Sequence, residues 1–267
     1  MGLAQGFLLA LVFLVSPRGN RRSNRILGAL LLSFSFIVFE IFACYTHLIA
    51  YFPAFINLTE PLDFLTGPLV YLYTLSLIQS EINWRRKWVH FVPAFIFLIL
   101  RMPYLLQSPE FKLYDVLEVY HRIPYNPVAV EPVLWFPTYH FGGLFMDLVS
   151  FPYNFAYQLY CFWLVTRFAR QRRESFWKSS HPTLRWLVGL MMLTISIWSI
   201  AFMFSLGSED DTGDIYIAAA STVMFYGVSL YLVLHSHWLG VSTFRMIKRS
   251  MRNPPSMPKP ARRFGKS

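Results

Sequence analysis

Seven apolar stretches separated by polar ones run along the chain, at residues 3–15, 26–48, 61–77, 88–106, 142–168, 184–206 and 215–238. A bilayer core about 30 Å thick needs roughly 20 apolar residues at a helical rise of about 1.5 Å each. All but the first stretch approach or exceed that length. The pattern predicts an all-α fold: a polytopic membrane protein with seven transmembrane helices over 1–240 and a short tail over 241–267. The first stretch is short for a crossing, so either the bilayer thins around it or the true start lies upstream of Met1. It does not read as a cleavable signal peptide, which has basic residues ahead of its apolar core. Here nothing basic precedes Leu3, and Arg18, Arg21, Arg22 and Arg25 follow Val15.

Composition narrows the class. Of 267 residues, 55% are hydrophobic and only 14% charged, and the mean hydropathy is +0.41. An ordinary soluble domain carries roughly 25% charged residues. So few charges cannot cover a water-facing surface at this length, which excludes a soluble globular enzyme, a disordered chain and a coiled coil. The aromatic content, with 26 Phe, 15 Tyr and 8 Trp, suits helices anchored at membrane interfaces. Cys44 and Cys161 both fall in apolar, lipid-facing stretches and are read as small hydrophobes rather than a disulfide or a zinc site.

The net charge of +10 is unevenly placed, and the placement gives an orientation. Every lysine and arginine except Arg101, Lys112 and Arg122 falls in the first, third or fifth loop or in the tail. The intervening loops are acidic, with Glu60 in one, Glu110, Asp115, Glu118 and Glu131 in the next, and Glu209, Asp210, Asp211 and Asp214 in the last. Basic loops stay cytoplasmic, so the expected topology has the N-terminus outside and the C-terminus inside. Arg167, Arg170, Arg172, Arg173, Lys248 and Arg249 are then membrane-surface basic residues, facing anionic lipid. The tail is also proline-rich, with disorder expected beyond Met251. Its charge alone would permit contact with DNA, but nothing in it folds into a reader of base edges.

The long external loop, 107–141, is not uniformly coil. Phe111, Tyr114, Leu117 and Tyr120 recur every three residues, with Glu110, Lys112, Asp115 and Glu118 between them. That spacing predicts a short amphipathic helix, lying on the outer leaflet or on the protein's own surface. Residues 127–139, rich in proline and aromatics, are placed to cap the outer end of the bundle.

Ionisable groups inside the apolar stretches are costly and mark candidate sites. Glu40 lies toward the outer end of the second span, with Cys44 and His47 at i+4 and i+7 on the same helical face. Asp63 lies near the outer end of the third span, Arg101 in the outer third of the fourth, and Asp147 in the outer third of the fifth, with Asn154 and Gln158 deeper. Glu40, His47, Asp63, Arg101 and Asp147 are therefore candidate ligand-binding residues around an outward-open pocket, with Arg101 paired to Glu40 or Asp147. The alternative is that they pair only to hold the bundle together. Pro68, Pro93, Pro103 and Pro152 each remove a backbone bond and can bend their helices. His235 and His237 point to different helix faces and read as interfacial residues, not as a metal or haem site.

The chain has no glycine-rich phosphate loop, no His-Glu-x-x-His zinc motif and no Gly-x-Ser-x-Gly elbow. No lysine occurs in 215–238 for a retinal Schiff base, and no two-fold repeat of the transporter kind is visible. The chain is expected to be no enzyme and to hold no cofactor and no metal.

Three stretches carry a resemblance: Asn24-Arg25-Ile26-Leu27-Gly28, then Leu65-Thr66-Gly67-Pro68-Leu69-Val70-Tyr71-Leu72-Tyr73, then His90-Phe91-Val92-Pro93-Ala94-Phe95 after Trp84 and Trp88. Together they resemble the seven-helix sensor region of bacterial membrane-anchored AraC-type transcriptional regulators, over about residues 20–240. The resemblance implies a signal-sensing membrane module of the bacterial inner membrane. In that family a cytoplasmic domain of two helix-turn-helix units follows. The stretch after Val241 is too short to be that domain, so direct DNA binding by this chain is not expected. A truncated or frameshifted product, a cut chain, and a sensor that signals through a partner are the alternatives. The implied partners are the lipid bilayer, a second copy of the chain, a cytoplasmic or membrane signalling protein and an unknown small-molecule signal. A small transporter or channel is the alternative function. Within the matched motif, Gly67-Pro68 bends the third helix near its outer end, and Tyr71 and Tyr73 point to different faces.

Overall fold

The computed structural model describes residues 1–17, 20–79, 83–119, 130–134, 142–171, 182–207 and 213–252. These form α1 (Gly2–Val15), α2 (Arg21–Tyr45), α3 (Glu60–Ile78), α4 (Trp84–Lys87), α5 (Val92–Leu105), α6 (Pro109–Val119), α7 (Gly142–Gln171), α8 (Pro182–Gly207) and α9 (Asp214–Arg252). Short 3-10 turns occupy Leu48–Tyr51, Pro53–Phe55 and Trp88–Phe91, and no strand occurs among the described residues. The chain divides into two compact units, Met1–Ser229 and Leu230–Ser267. The described part of the second is the continuation of α9 to Arg252.

Among the described residues, five segments are long and apolar enough to cross a membrane: Arg21–Tyr45, Glu60–Ile78, Arg85–Leu105, Pro182–Phe204 and Asp214–Leu234. The protein is thus an all-helical chain with the build of a membrane protein. The other two expected spans differ in instructive ways. At 14 residues, α1 extends only roughly 21 Å at the helical rise, short of a bilayer core about 30 Å thick. With 30 residues, α7 is long enough, but Tyr153, Asn154, Tyr157, Gln158 and Tyr160 dilute its apolar content.

Local sequence explains where the helices start. Asn20 caps α2, its side-chain oxygen accepting from the backbone N–H of Arg22 at 3.1 Å and of Ser23 at 3.4 Å. Pro61 sits in the first turn of α3 beside Glu60 and Asp63, where a missing N–H costs nothing and acidic groups meet the positive end of the helix dipole. Pro93 likewise lies in the first turn of α5, so it starts that helix and does not bend its interior. Pro68, Pro103 and Pro152 do lie inside helices. The second span ends at Tyr45, earlier than its hydropathy predicts, because the chain turns off at His47, whose φ is 58° in the left-handed region.

The third helix is the hub of the first unit, packing against α2, α5, α7 and α8. At its centre, Gly67 lets Asn154 of α7 come close enough to replace backbone partners. The Asn154 Oδ1 accepts from the Gly67 N–H at 3.0 Å and the Thr66 hydroxyl at 2.9 Å. Its Nδ2 donates to the Asp63 carbonyl at 3.2 Å and the Ser150 carbonyl at 2.9 Å. These bonds lie on the turn that leads directly into Pro68, whose missing N–H interrupts the backbone ladder there. Both cysteines are buried inside the protein, outside any disulfide and not facing lipid.

Substituting Gly67→Ala places a Cβ 2.9 Å from the Asn154 Oδ1 and 3.0 Å from the Tyr157 ring. It is expected to destabilise the purified protein by about 1–3 kcal/mol. Gly189→Ala, whose Cβ meets nothing within 4 Å, is expected to be neutral or to stabilise by up to about 1 kcal/mol. Thermal unfolding of the two variants in the same detergent checks the contrast.

Candidate functional site

The C-terminal ends of α2 and α5 and the N-terminal end of α3 converge on a buried set of charged groups. The backbone positions Glu40 first: it lies near the end of α2, where the connection to α3 folds back over it. One carboxylate oxygen accepts from the backbone N–H of Asn57, a residue held at φ 57°. The other accepts from the Thr59 N–H at 3.0 Å and from the Thr59 hydroxyl. Glu40 therefore fixes the last turn before α3 begins. The next residue, Glu60, takes a two-point contact from Arg101 of α5, through Nε and Nη2. Arg101 is only 6% exposed and Glu60 21%. A planar guanidinium matches a carboxylate fork in this geometry.

Arg101 carries the network outward. Its guanidinium carbon lies 4.4 Å from the centre of the Tyr104 ring, a cation–π contact strengthened by burial. The Tyr104 hydroxyl donates to Asp115 of α6 at 2.6 Å. From the same helix, Lys112 reaches back under the ring, its Nζ 5.9 Å from the Tyr104 centre. It donates to the Leu105 carbonyl at 2.7 Å and the Ala54 carbonyl at 3.3 Å. Leu105 ends α5, so its carbonyl lacks a helical partner and Lys112 supplies one. Burial pulls the Lys112 ammonium below the usual lysine range, and the charge of Glu40 partly opposes that shift. Around these groups Ala43, Cys44, Ile49, Ile56, Phe111 and Val116 form an apolar cluster. Gln107 holds the short segment at 130–134, its Oε1 accepting from Val133 at 2.9 Å and Leu134 at 3.2 Å.

The expected site residues separate on this geometry. Glu40 and Arg101 share one cluster, and the partner that Arg101 meets among the described residues is Glu60. Its pairing is decided by α3: Glu60 is the first residue of that helix and stands across from Arg101, while Glu40 is already engaged by Asn57 and Thr59. His47 does not continue the Glu40 face, since α2 has ended before it; its Nδ1 is buried with no hydrogen-bond partner. Asp63 lies in the first turn of α3, where its carbonyl accepts from the Thr66 hydroxyl at 2.9 Å and from Asn154. The backbone of Asp147 belongs to α7, but its side chain lies outside the described residues, as do those of Lys248 and Arg249. Arg172, Arg173, the acidic residues 209–211 and residues 253–267 lie outside them entirely. Arg167 and Arg170 are exposed near the end of α7.

Sequence reasoning missed Glu60, Tyr104, Lys112 and Asp115. Glu60 reads as a loop residue because it precedes the apolar run; the Glu-Pro pair, typical of a helix start, is the signal that places it on α3. The amphipathic helix expected around 111–120 exists as α6. Lys112, expected on its polar face, is instead 1% exposed, because a long side chain can turn inward when unpaired carbonyls await it.

A second cluster gathers Tyr71, His90 and their neighbours. The Lys87 ammonium donates to the Tyr71 hydroxyl at 2.7 Å. The His90 ring lies 4.8 Å from that of Tyr71, and its Nδ1 bonds the Tyr157 hydroxyl at 2.8 Å. The Tyr153 hydroxyl donates to the His90 carbonyl at 3.3 Å. On the opposite side of α3, the Tyr73 hydroxyl accepts from the Trp186 indole N–H at 2.6 Å. Tyr71 and Tyr73 thus face different neighbours, α7 and α8. Comparison with protein-family models, curated proteins and solved structures gave no match to this chain.

Replacing Lys112 with Met keeps the side chain's bulk and removes both carbonyl contacts. Hydrogen–deuterium exchange across 109–119 is expected to rise about tenfold, the equivalent of roughly 1–2 kcal/mol of docking energy. Tyr104→Phe, which strips only the bond to Asp115, is expected to give a smaller rise over the same segment.

Proposed function

We propose that this chain is a non-enzymatic signal-sensing module of a bacterial inner membrane, with seven spans, the N-terminus outside and the C-terminus inside. Alternating loop charge supports the orientation, and α1 and α7 complete the count beside the five long apolar helices. The resemblance to the sensor region of membrane-anchored AraC-type regulators supports a sensing role. The single observation that carries the reading is the buried network that fastens α6, an external helix in this topology, to the outer ends of α2, α3 and α5. An event on the external face that disturbs α6 acts on Asp115 and Lys112. Tyr104 passes the disturbance to Arg101, and Arg101 to Glu60 at the head of α3. The hub helix then carries it to Lys87 and His90 beside the basic loop.

The same network suggests what kind of signal fits. Arg101 and Glu60 hold each other in a low-dielectric site, so an anionic ligand would compete with Glu60 for Arg101. Glu40, Asp63, His47 and Asp147 are the candidate residues for such a ligand. The output passes through a second copy or a signalling partner at the inner face.

Two measurements test the reading. Single thiols introduced at Asp210 and Arg172 are expected to differ toward an impermeant reagent in intact cells, the first labelled and the second spared; the reverse contradicts the topology. Transcript profiles are then compared between cells with the chain, cells lacking it, and cells with Glu60→Gln, Arg101→Gln or Lys112→Met at equal membrane levels. The expected result is a set of transcripts that responds to loss of the chain and is locked on or off by at least one variant. An unchanged profile in every strain, or solute flux through the purified chain in proteoliposomes, would favour a transporter instead.

A further inference from the structure

The inner end of α7 has a feature that the sensing role does not use. Trp163, Thr166, Arg167, Arg170 and Gln171 line a groove of about 470 Å³. Their spacing of three and four residues puts them on one helical face. The Arg167 guanidinium carbon lies 5.4 Å from the centre of the Trp163 ring. A cation stacked on a ring uses its face there, and the N–H groups at its edge stay available to oxygen acceptors. Arg170 follows one turn later and is exposed, as is Gln171. Along α7 no acidic residue follows Asp147, which lies 20 residues before Arg167.

The apolar side of the groove is continuous with a strip of aromatic rings. Trp163 stacks on Tyr160, with ring centres 5.6 Å apart and planes 20° apart. Tyr160 lies 5.4 Å from Tyr71, and Tyr71 carries the Lys87 ammonium 5.1 Å from its ring centre. Trp163 is 48% and Tyr160 46% exposed. Half-exposed aromatic rings between two cationic ends are amphipathic along their length: an apolar wall for a glycerol backbone and upper acyl chain, with guanidinium groups where a phosphate would sit. Free phosphate would use the arginines alone and leave the aromatic strip without a role.

We propose that this groove binds the headgroup of an anionic phospholipid, with its phosphate on Arg167 and Arg170 and its glycerol region against Trp163 and Tyr160. Each basic residue at a membrane surface contributes about fivefold to binding anionic lipid. Removing both arginines is therefore expected to weaken retention by roughly tenfold to thirtyfold. The site does not depend on what the bundle senses. It depends on the orientation above only for the leaflet concerned, and nanodiscs present the same lipids on both sides.

The test is native mass spectrometry of the purified chain released from nanodiscs of phosphatidylcholine containing phosphatidylglycerol. The wild type is expected to retain phosphatidylglycerol in clear excess over its share in the disc. R167Q/R170Q should lose that excess, and Trp163→Leu should reduce it. R21Q/R22Q removes the same charge from exposed positions on α2 and should keep it. Equal retention by R167Q/R170Q and wild type overturns the proposal. Equal loss in R21Q/R22Q also overturns it, showing general surface charge. Displacement of the lipid by millimolar inorganic phosphate overturns it in favour of a free-anion site. Circular dichroism of each variant confirms that helix content is kept.

Discussion

The contact on which the junction of α2, α3 and α5 depends is the buried pair between Arg101 and Glu60. Helices in a membrane gain little from burying apolar surface against each other, because lipid tails are as apolar as leucine. Specific polar contacts then decide which helix sits beside which. Two full charges taken out of water are costly, and their mutual attraction repays that cost only when the geometry is good and every remaining hydrogen-bonding site is filled. Arg101 makes a two-point contact to the carboxylate, and its guanidinium carbon lies 4.4 Å from the centre of the Tyr104 ring. The pair fixes α5 against the head of α3 and places the residues that anchor α6.

The same logic recurs down α3. Below the ion pair, Asn154 joins α3 to α7 at the one place where Gly67 lets a side chain reach the backbone. Further along, Tyr73 bonds Trp186 of α8, and Tyr71 bonds Lys87 and packs on His90. Away from α3, Gln158 of α7 bonds Thr194 of α8 at 2.9 Å. Each joint is a polar pair whose partners come from different helices, so a change in one helix has a defined neighbour to act on. In the proposed sensing role, such a series would pass a small displacement from one helix to the next.

Hydropathy was enough to place most of the helices, since the period and length of an apolar run report lipid-facing surface directly. It misjudged boundaries wherever a backbone turn, not a change in polarity, ended a helix; His47, in the left-handed region, is the clearest instance. The ionisable residues were legible as anomalies, because a charge within an apolar run stands out. Their partners were not. Arg101 has several carboxylates within plausible reach along the sequence, and only the three-dimensional register of α3 selects Glu60. Lys112 shows the other limit: helical periodicity assigns it to the polar face, yet the unfilled carbonyls at the end of α5 draw it inward. The count of seven spans rests on α1 and α7, the two helices in which length or polarity departs from a simple apolar crossing.

The most direct test of the central contact is a double-mutant cycle at Glu60 and Arg101, read by reversible unfolding of the purified chain in lipid nanodiscs. Each single change, Glu60→Gln or Arg101→Gln, leaves one buried charge without its counter-charge and is expected to cost about 3 kcal/mol or more. The double variant leaves no lone charge, so its cost should be close to that of one single change, a coupling of about 2–3 kcal/mol. Strictly additive costs, or single changes that each cost less than about 0.5 kcal/mol, would contradict the account.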